Sequence, residues 1–247
     1  MSPQVLRAVV LRTRPYSETS LWIRLFSQSH GKLSGIAKGA RKGKDRLFTP
    51  LIEVEVTGYP PRSDEHTLWN LPRPELVTDW RELTRNPDAM VYAWGLLEVT
   101  DKLMQEMEPH PESYDNLSAS LDALLGKTAH PAATFLWYLV RLTDELGYAL
   151  QYEICPRCGH PLVFPVGGFA RVEGGVLCRS CHASDRGVLA EAVWETLVTV
   201  AVSVGPPDFK VPDGARDSLL NLLVDYLGYH ADKPLKLEAL KLLRSPH

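Results

Sequence analysis

Four cysteines carry the clearest chemistry in this 247-residue chain. They stand as Cys155-Pro-Arg-Cys158 and Cys178-Arg-Ser-Cys181, two C-x2-C pairs with 19 residues between them. Two residues between cysteines let both thiolates reach one ion, and four soft, anionic sulfurs fill a tetrahedral shell. The spacing predicts one structural Zn2+ per chain, held by Cys155, Cys158, Cys178 and Cys181. A redox pair or unliganded thiols are the other readings, and His160 or His182, beside the pairs, could replace one sulfur. A shell of four thiolates leaves no position for water, so such a metal staples a short segment and performs no reaction.

The second chemical feature is residues 31–46, GKLSGIAKGARKGKDR. Lys32, Lys38, Arg41, Lys42, Lys44 and Arg46 face a single acid, Asp45. Glycines and like charge keep Gly39–Lys44 out of any core, which predicts an exposed basic finger at the end of a strand. A solvated loop tip is the plain reading; a phosphate backbone is the partner such charge attracts. Arg12 and Arg14 on the first strand extend the basic track. A nucleotide-hydrolysing P-loop is excluded, because three residues rather than four separate Gly39 from Gly43 and Asp45 follows Lys44. G-x-S-x-G, H-E-x-x-H and G-x-G-x-x-G are absent. No catalytic residues are expected.

The charge is uneven. Residues 1–80 carry 12 Lys+Arg against 8 Asp+Glu, a net +4, and the rest carries 15 against 22, a net −7. The opening stretch is broken by Arg7 and Arg12, so no signal peptide is expected. No apolar run reaches the length of a membrane span. With paired thiols that read as ligands, these features point to the cytoplasm and away from membranes.

The elements that must position these groups follow from periodicity. Residues 4–14, 19–27, 32–37, 51–57 and 66–71 read as five short strands within a small closed or partly open barrel. Alternation alone does not separate an OB-fold from an SH3-like barrel. Trp22, Arg24 and Phe26 share one face of the second strand; such a face can stack bases, but the expectation is that Trp22 and Phe26 bury against the helical domain. From Asn86-Pro87 the period becomes helical. Further helices are expected from Pro111, Pro131, Leu189, Asp213 and Pro234. The fold class is thus α+β and multi-domain: a barrel over 1–80, then a helical bundle over 81–247, with a four-cysteine module at 152–186 inserted in it. The module mixes Arg157, Arg171, Arg179 and Arg186 with Glu153, Glu173 and Asp185, which favours a structural role over DNA contact.

Four short segments carry a family likeness: R14-P-Y-S-E-T-S20, then H30-G-K through A37-K-G-A-R41, then L146-G-Y148, and G228-Y-H-A-D-K-P-L-K-L-E238. In this order they resemble the RecO family of recombination mediators. The resemblance implies an N-terminal OB-fold and a helical domain. It implies binding of single- and double-stranded DNA and annealing of complementary strands. It also implies contacts with RecR and the tail of single-strand DNA-binding protein, to help load RecA on gapped DNA in the nucleoid. The family's basic segment falls on Lys38, Arg41, Lys42, Lys44 and Arg46. The stretch after Arg41 is short, running straight to F48-T-P50.

The expected function is a non-enzymatic DNA-binding mediator of repair. A zinc-containing protein adaptor with incidental DNA contact is the rival. A metal-dependent nuclease needs an open metal, which the cysteine spacing opposes.

Overall fold

A computed structural model describes residues 2–42, 46–61, 67–182 and 187–244. The predicted DNA contact Lys44, the predicted strand start His66, and Asp185 and Arg186 lie outside the described residues. The alternating segments form β1 (Gln4–Pro15), β2 (Leu21–Ser27), β3 (Gly31–Ala37), β4 (Ile52–Gly58), β5 (Leu68–Asn70) and β6 (Glu75–Asp79). They make one sheet in the order β5-β3-β2-β1-β4-β6, antiparallel except for β3 with β5. Its inner face buries Leu6, Val10, Ile23, Leu25, Leu33, Val54 and Trp69.

Of the closed and partly open barrels expected, this order corrects the closed one. Among the described residues no ladder joins β4 to β5; one antiparallel bridge, Tyr59–Asn70, with backbone hydrogen bonds of 3.0 and 2.9 Å, links them. The reason is β6, which pairs with Ile52–Glu55 and occupies the free edge of β4.

The helices are α1 (Pro87–Leu103), α2 (Pro111–Gly126), α3 (Pro131–Glu145), α4 (Glu191–Val202) and α5 (Asp213–His230). Asn86 caps α1, its side chain accepting from the N–H groups of Asp88 (3.1 Å) and Ala89 (3.3 Å). The helix expected from Pro234 is replaced by a 3₁₀ stretch at Ala239–Arg244. Its start is set from outside the segment: the Glu98 carboxylate on α1 accepts the N–H groups of Glu238 (2.9 Å) and Ala239 (3.0 Å). Lys102 holds that carboxylate at 2.6 Å.

Two compact units result, Met1–Leu125 with Leu237–His247, and Gly126–Lys236. In the second, α3 and α5 end alike. Gly147 and Tyr148 donate back to Asp144 (3.0 Å) and Thr143 (2.7 Å); Asp232 and Lys233 donate back to Tyr229 (3.2 Å) and Gly228 (3.1 Å). Both are Schellman ends. They meet where Tyr148 stacks on His230, ring centroids 4.0 Å apart. The short strands β7 (Phe169–Ala170) and β8 (Gly175–Val176) belong to the cysteine module.

Candidate nucleic-acid interface and metal centre

The finger leaves β3 after Ala37 and is tied at both limbs. The Arg41 amide donates to Thr19 O (3.1 Å) and its guanidinium to Ser17 O (2.6 Å). That seats the finger on the β1–β2 hairpin loop, whose own turn is closed by Tyr16 N to Ser20 O at 3.0 Å. The returning limb is held by Thr49 Oγ1 donating to Arg46 O (2.6 Å) and Thr13 Oγ1 donating to Phe48 O (2.9 Å). The R-P-Y-S-E-T-S segment is therefore the loop on which the finger rests.

Lys38, Arg41 and Arg46 line one groove of about 870 Å3, with Phe48 and Leu71 on its apolar side. Arg73, held between Pro72 and Pro74, joins them there. Arg73 is not among the contacts predicted from the basic run; the Pro-Arg-Pro stretch that displays it is the available signal. Lys42 is exposed on the turn, and Arg12 and Arg14 are exposed on β1, away from the groove lining. The predicted contacts thus form a groove cluster and a strand pair.

Among the described residues, none of Arg12, Arg14, Lys38, Arg41, Lys42 and Arg46 forms an ion pair. Nearby cations differ. Arg7 pairs with Glu53 (2.7 Å), Arg24 with Glu106 (2.6 Å) and Arg81 with Asp79 (2.5 Å). Lys32 is withdrawn from the basic surface: it is buried and its Nζ donates at 2.5 Å to Asp101 O in the last turn of α1. Before it, Gly31 has φ +65°, and a Cβ there would lie 1.8 Å from Glu108 O. The H-G-K segment joins β3 to the chain following α1 and displays no charge.

In the second unit, the sulfurs of Cys155, Cys158, Cys178 and Cys181 all lie within 4.8 Å of one another. Cys158 and Cys178 are 3.7 Å apart, far beyond the roughly 2 Å of a disulfide. A tetrahedral ion with sulfur at about 2.3 Å has edges of about 3.8 Å. Two matching knuckles build the site. Gly159 N donates to Cys155 O (2.9 Å), and His182 N donates to Cys178 O (3.0 Å). Burial pushes the Cys155 thiol up, but backbone N–H groups of Cys178, Cys158 and Arg157 outweigh it and bring it down, while the Cys181 thiol is pushed the other way, chiefly by its hydrogen bond with Cys158. The donor set fits a thiolate-bound Zn2+.

Two of the module's arginines are engaged by its own residues and by α5, and Arg179 is exposed. Arg157 bonds Cys181 O (2.7 Å) and Glu173, bridging the two knuckles. Arg171 pairs with Asp225 on α5 (2.9 Å) and lies 4.6 Å from the Tyr229 ring. Phe169 meets Tyr226 edge-on at 5.3 Å.

No described helix is long and apolar enough to cross a membrane. Residues 1–71 match the family described as Recombination protein O N terminal, and residues 85–239 match Recombination protein O C terminal. A DNA repair protein RecO of Desulfitobacterium hafniense (strain DSM 10664 / DCB-2) is 31% identical over 181 residues. That alignment takes in 71% of this chain and 63% of the relative, so the chain spans less than two thirds of that relative's length. A DNA repair protein RecO of Bacillus mycoides (strain KBAB4) is 27% identical over 182 residues, 74% of this chain and 71% of the relative. With its N- and C-terminal parts both matched in order, the chain belongs to the RecO family.

Proposed function

We propose that this protein is a non-enzymatic mediator of DNA repair and recombination that binds single- and double-stranded DNA, anneals complementary strands and helps load recombinase on gapped DNA. The observation that carries it is the groove cluster: Lys38, Arg41 and Arg46 converge without acidic partners among the described residues. Cations left unpaired on a folded surface attract polyanions. Lys42, Lys44, Arg12 and Arg14 extend the track. Two strands held on such a surface repel each other less, which favours pairing.

In this reading residues 1–80 are an OB-fold-like DNA-binding domain, 81–247 a helical domain, and 152–186 an inserted module. Cys155, Cys158, Cys178 and Cys181 hold one Zn2+, which supplies cross-linking and no reaction step. The partners taken from the family are a RecR-like subunit and the tail of single-strand DNA-binding protein; no surface of this chain is assigned to either. The place of action is the cytoplasm, at the nucleoid.

The test is a salt titration of single-strand binding. Each phosphate contact contributes about 0.7 to the log–log slope, so about four contacts give a slope near −3. Charge reversal at Lys38, Lys42 and Arg46, whose side chains make no hydrogen bond or ion pair among the described residues, should abolish most binding and flatten the slope while melting is unchanged. Unaltered affinity and slope in that variant would remove the groove from the site.

A further inference from the structure

The outer face of β2 is treated unequally along its length. Phe26 is fully buried and lies 6.0 Å from the Tyr114 ring of α2. Arg24 is held by Glu106 (2.6 Å) and by Asp101 (3.9 Å). The helical elements of the first unit thus cover that end. Trp22, two residues further along, is only half-buried. Arg14 stands directly across from it on β1 and Ile36 directly across on β3. The guanidinium of Arg14 lies 5.8 Å from the Trp22 ring, and that of Arg24 lies 5.2 Å from it.

The two arginines differ. Arg24 is anchored by acids and fixes the ring. Arg14 is exposed and has no acidic partner among the described residues, so an arriving base can displace it or stack upon it. Arg12, equally without an acid, sits opposite Arg24 in the next register position. Ile36 leads within two residues to Lys38, so this patch is continuous with the finger.

We propose that Trp22, flanked by Arg14 and Arg24, is a stacking platform for an unstacked base of single-stranded DNA, and that it biases the basic surface towards single strands. This rests on the DNA-binding reading above. Duplex bases have their faces covered by neighbours, whereas every base of a single strand offers a π-face to an aromatic ring. Arg14 and Arg12, which have no acidic partner among the described residues, take the flanking phosphates.

The test measures binding of the full chain to oligothymidylate and to a duplex of equal length. Trp22→Ala should weaken oligothymidylate binding by about 5- to 150-fold, the range for one lost base stack, and leave duplex binding unchanged. Trp22→Phe keeps a ring and the fold; it should retain most affinity and lose the DNA-dependent quenching of tryptophan fluorescence. Trp94→Phe, the other partly exposed indole at 37%, should keep the quenching, since Trp69, Trp80, Trp137 and Trp194 are buried. Unchanged single-strand affinity in Trp22→Ala, an equal loss on both DNA forms, or quenching that survives Trp22→Phe would overturn the platform. Wild-type protein that binds neither form would overturn the DNA-binding reading itself.

Discussion

The hydroxyl of Tyr114 donates a 2.6 Å hydrogen bond to Oε1 of Glu53, joining α2 to β4. The same carboxylate accepts from Arg7 Nε (2.7 Å) and Thr78 Oγ1 (2.7 Å), and Glu53 is 2% exposed. Burial pushes this carboxyl up, but its three donors outweigh burial and hold it below the usual range. Burial and the adjacent Glu53 push the Tyr114 hydroxyl well above its ordinary value. Tyr114→Phe leaves a buried charged acceptor short of one donor and should cost about 1–3 kcal/mol in urea unfolding. The depressed carboxyl contributes stability above about pH 4.3, lost as pH falls through its lower folded value. Glu53→Gln should be less stable at neutral pH and should lose that part of the acid dependence. An acid limb identical to wild type would contradict this role.

Gly31 should not accept a side chain. The left-handed conformation alone costs a residue with a Cβ about 1–2 kcal/mol. The Glu108 carbonyl, 1.8 Å from the added atom, must also move. Gly31→Ala should therefore lower the urea midpoint by more than the conformational term, and hydrogen exchange should quicken at Met107, whose N–H bonds Lys32 O at 2.8 Å. A variant as stable as wild type would show that this approach is not needed.

Removing metal should act locally. Chelation would deprive the four clustered thiolates of the cation proposed above. Amide exchange should accelerate across residues 152–182 and in the α5 turn carrying Asp225 and Tyr229, which Arg171 contacts. Strands β1–β4 should exchange as before. Added Zn2+ should restore protection, and Cys155→Ser should reproduce the chelated pattern. Identical exchange with and without chelator would exclude a bound metal.

Asp232 occupies the left-handed position at the end of α5, φ +52°, where glycine is the usual residue. Asp232→Gly should raise stability by about 0.5–1 kcal/mol, since the strain of the Cβ exceeds the added backbone entropy. Thermal melting is the readout; a lower midpoint would mean the carboxylate has a role of its own.

Local chemistry was legible and long-range pairing was not. The alternation in TSLWIRLFS marks β2, and Asn86-Pro87 marks the start of α1, because both signals sit within the element they define. The cysteine spacing likewise contains its own geometry. Strand β6 escaped because its five residues lie on an open edge and show no inside–outside contrast. The extended helix expected from Pro234 failed because Glu98, far away in sequence, decides where that segment turns. Trp22 and Phe26 share a strand face, yet only Phe26 is covered, since Tyr114 reaches one end of the strand. Arg73 joins Arg46 in one groove through tertiary folding alone.

The return of residues 237–244 to the first unit has a mechanical consequence. Force applied between residues 2 and 244 enters and leaves through the same unit. Tension would load the β-sheet and its Glu98-clamped closing segment first. The helices of the second unit would stay slack until that clamp opened, so a pulling trace should show the sheet unit yielding before any extension from the helical one.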